Sequence, residues 1–289
     1  MDLPTLIQTL ANSVVAGSIY AVIAVGLAMA FGVMKMANFA HGEFYMAGAY
    51  VVYVFYALLG WPFPAAVAMA IPIVGAMGIA TERLIFLPTR SNVLAGFMAT
   101  AGLAFILQVL VGQTWGVGLM RSVPTPYMGA MDVVGAKIGW QRVLVIPAAV
   151  AMLSALWFFL YRVKAGKALR ACAQDAETAR LQGININRMT MLAMAISGAS
   201  AGLAGALMAP IHPVTPYMGH GVILTAFIVV VMGGMESIAG AVLAAILLGF
   251  VHTFVTTISD AVTAQMVGVA CMALVLVVRP QGLLGRVKA

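Results

Sequence analysis

The chain has 289 residues, of which 63% are hydrophobic and only 8% are charged, and its net charge is +7. Soluble domains carry about 45–50% apolar and about 25% charged residues, so this composition excludes a water-soluble globular protein. The basic residues collect in a few loops, which argues against a nucleic-acid-binding face and indicates membrane orientation. We expect an all-α integral membrane protein, a polytopic helical bundle that forms a single domain over residues 1–289.

The apolar runs predict about eight or nine membrane segments. In chain order they are 10–33, 43–60, 63–80, 93–113, 143–161, 190–210, 221–235, 236–257 and 262–278. The continuous runs 43–80 and 221–257 are longer than the ~20 residues that cross a ~30 Å hydrocarbon core, so both are split. The first split falls at Gly60–Pro64, where prolines end a helix, and the second at Gly233–Ser237. Segments beside these hairpins are expected to be short, broken or re-entrant.

The stretch NFAHGEFYMAGAY begins at Asn38 and places three polar side chains, Asn38, His41 and Glu43, between two apolar runs. Polar groups near hydrocarbon are costly, so their presence needs a reason. Gly32 and Gly42 bracket a segment that can leave helical geometry at low cost, Asn38 suits a helix cap, and Glu43 complements a positive helix end. We predict that the chain breaks here and that a new helix begins near His41.

Two interpretations of this polar stretch stay open. In the first, the three side chains satisfy one another in a hinge at the cytoplasmic edge of the membrane. In the second, they line a solute passage, where the exposed start of a helix receives an anionic group of the solute. Non-helical backbone at membrane depth is tolerated only against protein or water, which is compatible with both.

Two loops are long enough to have roles of their own. The external loop 114–142 is expected to close the mouth of the bundle, to receive a partner, or to form an ordered cap. The cytoplasmic loop 162–188 has helix formers from Gln174 to Leu181, followed by Gly183, where a helix ends with a left-handed cap. This pattern predicts a short helix-turn-helix that docks into a groove on another protein; the alternative is a solvated basic connector.

The remaining segments give packing and orientation. Residues 197–206 are small except for Leu203, which predicts a central helix with close neighbours. The nine-segment arrangement leaves only Arg121, Lys137 and Arg142 outside and keeps the Arg279–Lys288 tail inside, so the N-terminus is predicted to be periplasmic and the C-terminus cytoplasmic. Glu236 is expected in the first turn of the helix that follows Gly233-Gly234, where it complements the positive helix end.

Motifs for catalysis or direct ATP use are missing from the sequence. The stretch around Lys167 lacks the leading glycine and the hydroxyl of a P-loop, the histidines form no H-x-x-x-H pair, and no serine lies in a G-x-S-x-G elbow. Cys172 and Cys271 do not suggest a disulfide or a metal site. We therefore assign no catalytic residue, no metal ligand and no directly bound cofactor.

Several motifs, in order and over nearly the whole chain, resemble the branched-chain amino-acid permeases of the LivH type. They are GLAMAFGV (26–33) followed by NFAHGEFYMAGAY, ATAGLAFILQ (99–108), GGMESIAGAVLAA (233–245) and RPQGLLG (279–285). The loop Glu177-Thr178-Ala179 followed by Gly183 is similar to the ATPase-docking loop of ABC importer permeases. The resemblance assigns coupling to Asp175, Glu177, Ala179 and Gly183. Glu236 and Ala239 depart from the glycine and proline that are common in the family.

The resemblance implies a pore subunit in a bacterial inner membrane. Its partners would be a second related permease, two cytoplasmic ATPases that use ATP, and a periplasmic binding protein. Its solutes would be branched-chain or related amino acids. Substrate-passage or hinge candidates are Asn38, His41, Gly42, Glu43, Gly233, Gly234 and Glu236. The alternative function is a stand-alone secondary carrier or channel for small polar solutes, which would not need loop 162–188.

Overall fold

The structure is a computed structural model that describes residues 2–285. Arg286 and Lys288, which the charge count placed inside, lie outside the described residues. Within that range the helices are α1 (Leu3–Met34), α2 (His41–Val52), α3 (Phe63–Thr81), α4 (Leu87–Thr89), α5 (Val93–Trp115), α6 (Trp140–Arg162), α7 (Lys164–Gln174), α8 (Ala176–Leu181), α9 (Ile186–Met208), α10 (Gly219–Gly233), α11 (Ile238–Ile258) and α12 (Ala261–Val278).

The predicted polytopic helical bundle is confirmed. Seven helical stretches of the described chain are long and apolar enough to cross a membrane, and α10 is a shorter apolar helix. α2 is also short and continues as a π-helix over Tyr53–Leu58. Both predicted splits are present, because the chain breaks between Leu58 and Phe63 and again between Gly233 and Ile238. A second π-helical stretch, Glu82–Phe86, joins α3 to α4.

Five of the helices begin directly after a side-chain cap. Helices α5, α8, α9, α11 and α12 each begin after a residue whose side-chain oxygen accepts backbone N–H groups of the first turn, namely Asn92, Asp175, Asn185, Ser237 and Asp260. The first N–H groups of a helix lack intrahelical partners, so these caps fix where each helix starts.

α1 and α9 form the centre of the bundle, with 72% of the membrane-crossing window of each buried. α9 is buried on every side from Ser200 to Met208, which confirms the packing predicted from its small residues. A side chain at Gly205 would overlap the backbone of Tyr45 in α2, and one at Gly198 would overlap the backbone of Val74 in α3. Small residues therefore let α2 and α3 approach α9 at backbone distance.

The external loop is partly ordered as a small sheet, which the all-helical prediction did not include. Strands β1 (Ala130–Val133) and β2 (Ala136–Gly139) form an antiparallel hairpin. Arg121 forms an isolated antiparallel bridge with Val214, and its guanidinium donates to the Trp115 carbonyl at 2.6 Å. These contacts are those of an ordered cap. We call this side the hairpin end of the bundle and the side with α7 and α8 the loop end.

Candidate functional site

The segment between α1 and α2 carries the predicted polar cluster. α1 ends at Met34, and Lys35 adopts a left-handed conformation with φ 55°. α2 begins at His41, as predicted; His41 Nε2 lies 3.1 Å from the Ile23 carbonyl oxygen and Nδ1 lies 3.2 Å from the Ser197 hydroxyl. Ile23 lies about three turns, or ~16 Å, from the end of α1. The cluster therefore lies deeper than the predicted membrane edge, because the non-helical residues 35–40 lead the chain back into the bundle.

Asn38 does not cap α2 as predicted. The residue that precedes the helix is Ala40, and Asn38 Oδ1 accepts the Ala40 N–H at 3.0 Å. Asn38 is fully buried, and its Nδ2 has no hydrogen-bond partner within residues 2–285. The Asn38 and Ala40 carbonyl oxygens accept the N–H groups of His41, Glu43 and Phe44. The start of α2 therefore offers few free N–H groups to an anion.

The three predicted polar side chains do not satisfy one another. His41 and Glu43 are two residues apart on a helix, so their side chains point about 200° apart. His41 faces α1 and α9, whereas Glu43 Oε1 accepts a hydrogen bond from Gln108 Nε2 in α5 at 2.8 Å. His41 therefore fixes α2 against α1 and α9, whereas the Glu43 side chain faces α5.

Glu43, Gln108 and His220 form what we call the polar centre. Gln108 Nε2 lies 3.4 Å from His220 Nε2, so the amide bridges the carboxylate and the imidazole. Glu43 is 2% exposed and Gln108 is 5% exposed, whereas His220 is exposed. Glu43 Oε2 is buried and has no hydrogen-bond partner among the described residues. Buried polar atoms are usually hydrogen-bonded, so this oxygen is a free acceptor that a ligand or water can use.

Two helices meet at the polar centre through their first turns. A side chain at Gly42 of α2 would overlap the Gly219 carbonyl oxygen of α10. A side chain at Gly219 would lie 2.7 Å from Glu43 Oε1. From this contact α2 runs toward the hairpin end and α10 toward the loop end. The first turns of two helices thus lie against one buried carboxylate.

Sequence reasoning missed Gln108 and misplaced His220. Gln108 interrupts the apolar segment 93–113, and an amide inside a membrane segment is a signal that points to a functional contact. His220 precedes the predicted segment 221–235, but in the structure it lies in the first turn of α10, beside Gln108. The misplacement arose because the predicted segment began at 221, one residue too late to include it.

The second predicted group, Gly233, Gly234 and Glu236, lies at the loop end, apart from the polar centre. Gly234 has φ 103°, which favours glycine, and a side chain there would meet residues of the 279–285 segment. The N–H groups of Leu283 and Leu284 donate to the Met232 and Gly233 carbonyls at 2.9 and 3.2 Å. The RPQGLLG segment therefore supplies partners to the end of α10.

Glu236 precedes the cap of α11 instead of lying in its first turn, as was predicted. Ser237 caps α11, and the Glu236 carboxylate forms an ion pair with Lys35 at 2.6 Å. Both side chains are about half exposed, so the pair contributes at most about 1 kcal/mol. Lys35 Nζ also donates to the Ala173 carbonyl at 3.2 Å. One lysine thus links the break after α1, the end of α7 and the start of α11.

The loop 162–188 forms the predicted pair of short helices. The Asp175 side chain accepts the N–H groups of Glu177 and Thr178, and the bonds from Thr178 hold the Asp175 pKa below its usual range. Gly183 has φ 81°, and the Ile184 N–H returns to the Ala179 carbonyl at 3.1 Å, which is the predicted left-handed end. Ala179 is the buried residue of α8, so the rest of this helix projects outward.

A groove of about 700 Å³ lies beside α8 at the loop end. It is lined by Arg90, Glu177, Arg180 and residues 184–187. The Arg90 guanidinium forms an ion pair with Glu82, which is 1% exposed, and also donates to Thr190 at 2.6 Å. Buried charges need such partners, so the pair fixes the π-helical end of α3 against α9.

The described residues contain no group of three or more His, Cys, Asp and Glu side chains that could hold a metal ion. Cys172 and Cys271 are free thiols. The polar centre itself consists of one carboxylate, one amide and one imidazole. Such a set can exchange hydrogen bonds or pair with a cation.

Comparison with known proteins places the chain among transport proteins. Residues 9–278 match the family described as "Branched-chain amino acid transport system / permease component". The chain is 36% identical to the high-affinity branched-chain amino acid transport system permease protein LivH of Escherichia coli K12, over 97% of this chain and 96% of that protein. It is 28% identical to LivM of the same organism, over 92% of this chain and 68% of LivM.

Among solved structures, PsaBC from Streptococcus pneumoniae in complex with Fab has a similar fold. The TM-score is 0.53, the sequence identity is 11%, and the match covers 95% of this chain and 93% of that one. At this identity the likeness concerns the fold alone. It agrees with the bundle described above.

Proposed function

This chain belongs to the branched-chain amino acid transport permeases, as the non-catalytic membrane subunit of an ABC transport system, and we propose that it imports branched-chain or related amino acids into the cytoplasm. In this proposal a periplasmic binding protein delivers the solute at the hairpin end. Two ATPases bind at the loop end and hydrolyse the ATP. A second permease related to this one completes the pore; the 28% identity to LivM, a permease of the same transport system as LivH, supports such a pairing.

The orientation in this proposal rests on charge. The loop end carries the basic residues of α7, α8 and the residues that flank them, whereas the hairpin end carries Arg121, Lys137 and Arg142. Cytoplasmic loops of membrane proteins are richer in lysine and arginine, which supports a cytoplasmic loop end. A maleimide that does not cross membranes tests this directly. It should label a cysteine introduced at Gly118 in intact spheroplasts and one introduced at Gln182 only after permeabilisation; the opposite pattern would reverse the orientation.

The observation that carries ATPase coupling is the geometry of α8. Asp175 fixes its start, Gly183 fixes its end, Ala179 anchors it, and Glu177 and Leu181 are exposed, with Leu181 82% exposed. An exposed leucine on a short, doubly fixed helix is a suitable anchor for a groove on another protein. This geometry favours docking over the alternative of a solvated connector.

A proline exchange tests the coupling role. Gly183→Pro cannot adopt φ 81° and removes the N–H that bonds the Arg180 carbonyl, so ATP-driven uptake should be lost while the chain still inserts. The matched control is Gly118→Pro, at an exposed glycine with φ 76° near the hairpin end, which should retain uptake. A stand-alone carrier would tolerate Gly183→Pro, and that result would reject the ATPase-driven mechanism.

We further propose that the solute passes the polar centre. His220 is exposed at a depth where a polar side chain facing lipid is costly, so this side of α10 faces protein or water. The unpartnered Glu43 Oε2 suits a donor such as the ammonium group of an amino acid better than it suits a carboxylate. This reverses the polarity expected from the sequence, in which the start of α2 receives an anion.

Gln108→Leu tests this passage. The change removes the donor to Glu43 and the contact with His220 at nearly constant volume, so uptake of leucine should fall about tenfold, which corresponds to about 1.4 kcal/mol. Gln141→Leu is the matched control, because Gln141 is also 5% exposed and donates to the Leu207 carbonyl away from the polar centre. Equal uptake by both variants would contradict the assignment.

A further inference from the structure

A second cavity lies at the loop end, at the level where the membrane helices end. Its volume is about 860 Å³, and it is bounded by α1, by the junction of α6 and α7, and by the α10–α11 turn and the end of α12. Its deeper wall is apolar and consists of Ala28, Met29, Leu160, Leu169, Val231 and Leu276. The cavity therefore combines a hydrocarbon-like floor with an opening at the membrane surface.

The rim of this cavity is built around Arg170. Its Nε donates to the Leu160 carbonyl at 3.0 Å, and its guanidinium carbon lies 4.2 Å from the centre of the Tyr161 ring. Tyr161 in turn stacks on Trp157 at 5.4 Å, and both rings are about half exposed. Exposed Trp and Tyr side chains mark the headgroup level of a membrane. The Nε bond engages one of the five N–H donors of a guanidinium, so a preoriented cation is offered to a ligand at headgroup depth.

The stretch of chain that leads to Arg170 is basic. Arg162, Lys164 and Lys167 are exposed on the same stretch of chain as Arg170. The acidic side chain on the opposite wall is Glu236, and it forms an ion pair with Lys35. Clusters of lysine and arginine immediately beside a membrane helix attract anionic lipid headgroups.

We propose that this cavity binds an anionic phospholipid of the adjacent leaflet. Its phosphate contacts Arg170, the basic residues that precede Arg170 in the chain attract its charge, and an acyl chain occupies the apolar wall between α1 and α12. A phospholipid uses both the apolar floor, for its acyl chain, and the basic rim beside aromatic rings at headgroup level, for its phosphate. A docked protein segment would not require this combination, so a lipid fits the cavity better. Because Gly32 and Gly234 also line the cavity, the bound lipid contacts both the end of α1 and the α10–α11 turn.

Native mass spectrometry of the purified transporter in neutral detergent tests the proposal. Phosphatidylglycerol and phosphatidylcholine are added at equal concentration, and the wild type should retain phosphatidylglycerol preferentially. Arg170→Gln should lower that retention by about fivefold, since one basic side chain near an anionic surface is worth about that factor. Arg188→Gln, at an exposed arginine in the first turn of α9 outside the cavity, should retain the lipid as the wild type does.

A second variant addresses the apolar wall without a change of charge. Leu276→Trp fills the cavity from α12 and should lower retention while Arg170 stays in place. Equal retention of both lipids, or equal retention by Arg170→Gln and the wild type, would overturn the proposal. A cysteine introduced at Leu276 gives a further test after the lipid has been removed. If maleimide labels this cysteine in the single chain but not in the assembled transporter, a protein partner fills the cavity, and the proposal is overturned.

Discussion

His41→Ala is the sharpest test of how α2 is held. The His41 side chain is fully buried, and its two ring nitrogens contact the Ile23 carbonyl and the Ser197 hydroxyl. A hydrogen bond between membrane helices is worth about 0.6 kcal/mol on average, and two are lost. The emptied site adds a cavity cost of about 2 kcal/mol, at the low end of large-to-small exchanges in packed cores. The total is about 3 kcal/mol.

We expect this loss to lower the melting temperature of the purified transporter by about 6 °C, taking ~2 °C per kcal/mol for a chain of this size. Uptake should fall while the transporter still assembles, because α2 loses its anchor beside the polar centre. Ser197→Ala removes one of the two bonds and little volume, so it should cost about 0.6 kcal/mol. If the histidine and serine act through their mutual contact, the double variant should be less destabilised than the sum of the two single variants.

The reasoning fails if His41→Ala has wild-type thermal stability and wild-type uptake. It also fails if the His41→Ala and Ser197→Ala effects are strictly additive, since two residues in direct contact should couple. His41→Gln separates shape from bonding. It keeps an amide donor near the position of Nε2, so it should recover part of the stability lost in His41→Ala.

Three further outcomes follow from the contacts described above. Arg90→Met should destabilise the transporter by about 3 kcal/mol in thermal unfolding, because it leaves the buried Glu82 carboxylate without its ion-pair partner. Adding Glu82→Gln should recover part of that loss, and no recovery would contradict the pairing. Hydrogen bonds lower the Asp175 pKa, so the Asp175 cap of α8 is fully present above the usual carboxyl range and is lost as pH falls through the lowered pKa. Hydrogen exchange in α8 of the wild type should therefore accelerate in that acidic range, and Asp175→Asn should remove this pH dependence. Gly205→Leu should prevent α2 from closing on α9 and abolish assembly in a pull-down, whereas Gly102→Leu, at an open position, should not.

The helices were predictable from the sequence because hydrophobic length and turn residues act locally. Both splits and the start of α2 at His41 are confirmed, as is the left-handed end at Gly183. The role of Asn38 was not predictable, because a capping preference does not show at which residue the helix begins. α2 begins after Ala40, and Asn38 instead accepts the Ala40 N–H. The hinge hypothesis grouped side chains by sequence distance, whereas helical rotation sends His41 and Glu43 to different neighbours.

Contacts between distant segments account for the other differences. Gln108 approaches Glu43 only after α5 folds across α2, and His220 joins them only because α10 starts inside the bundle. Glu236 pairs with Lys35, about 200 residues earlier in the chain, which no local pattern specifies. The roles of these residues in solute passage and coupling stay predictions for the experiments described above.

The end of α10 depends on residues made much later than α10 itself. The carbonyls of Met232 and Gly233 are capped by the N–H groups of Leu283 and Leu284, about fifty residues downstream. During synthesis, α10 and α11 can therefore enter the bilayer before these two bonds exist, and the Met232 and Gly233 carbonyls acquire these partners only after residues 283 and 284 have been made. The order in which the ribosome makes this protein thus sets a limit on the order in which it can fold.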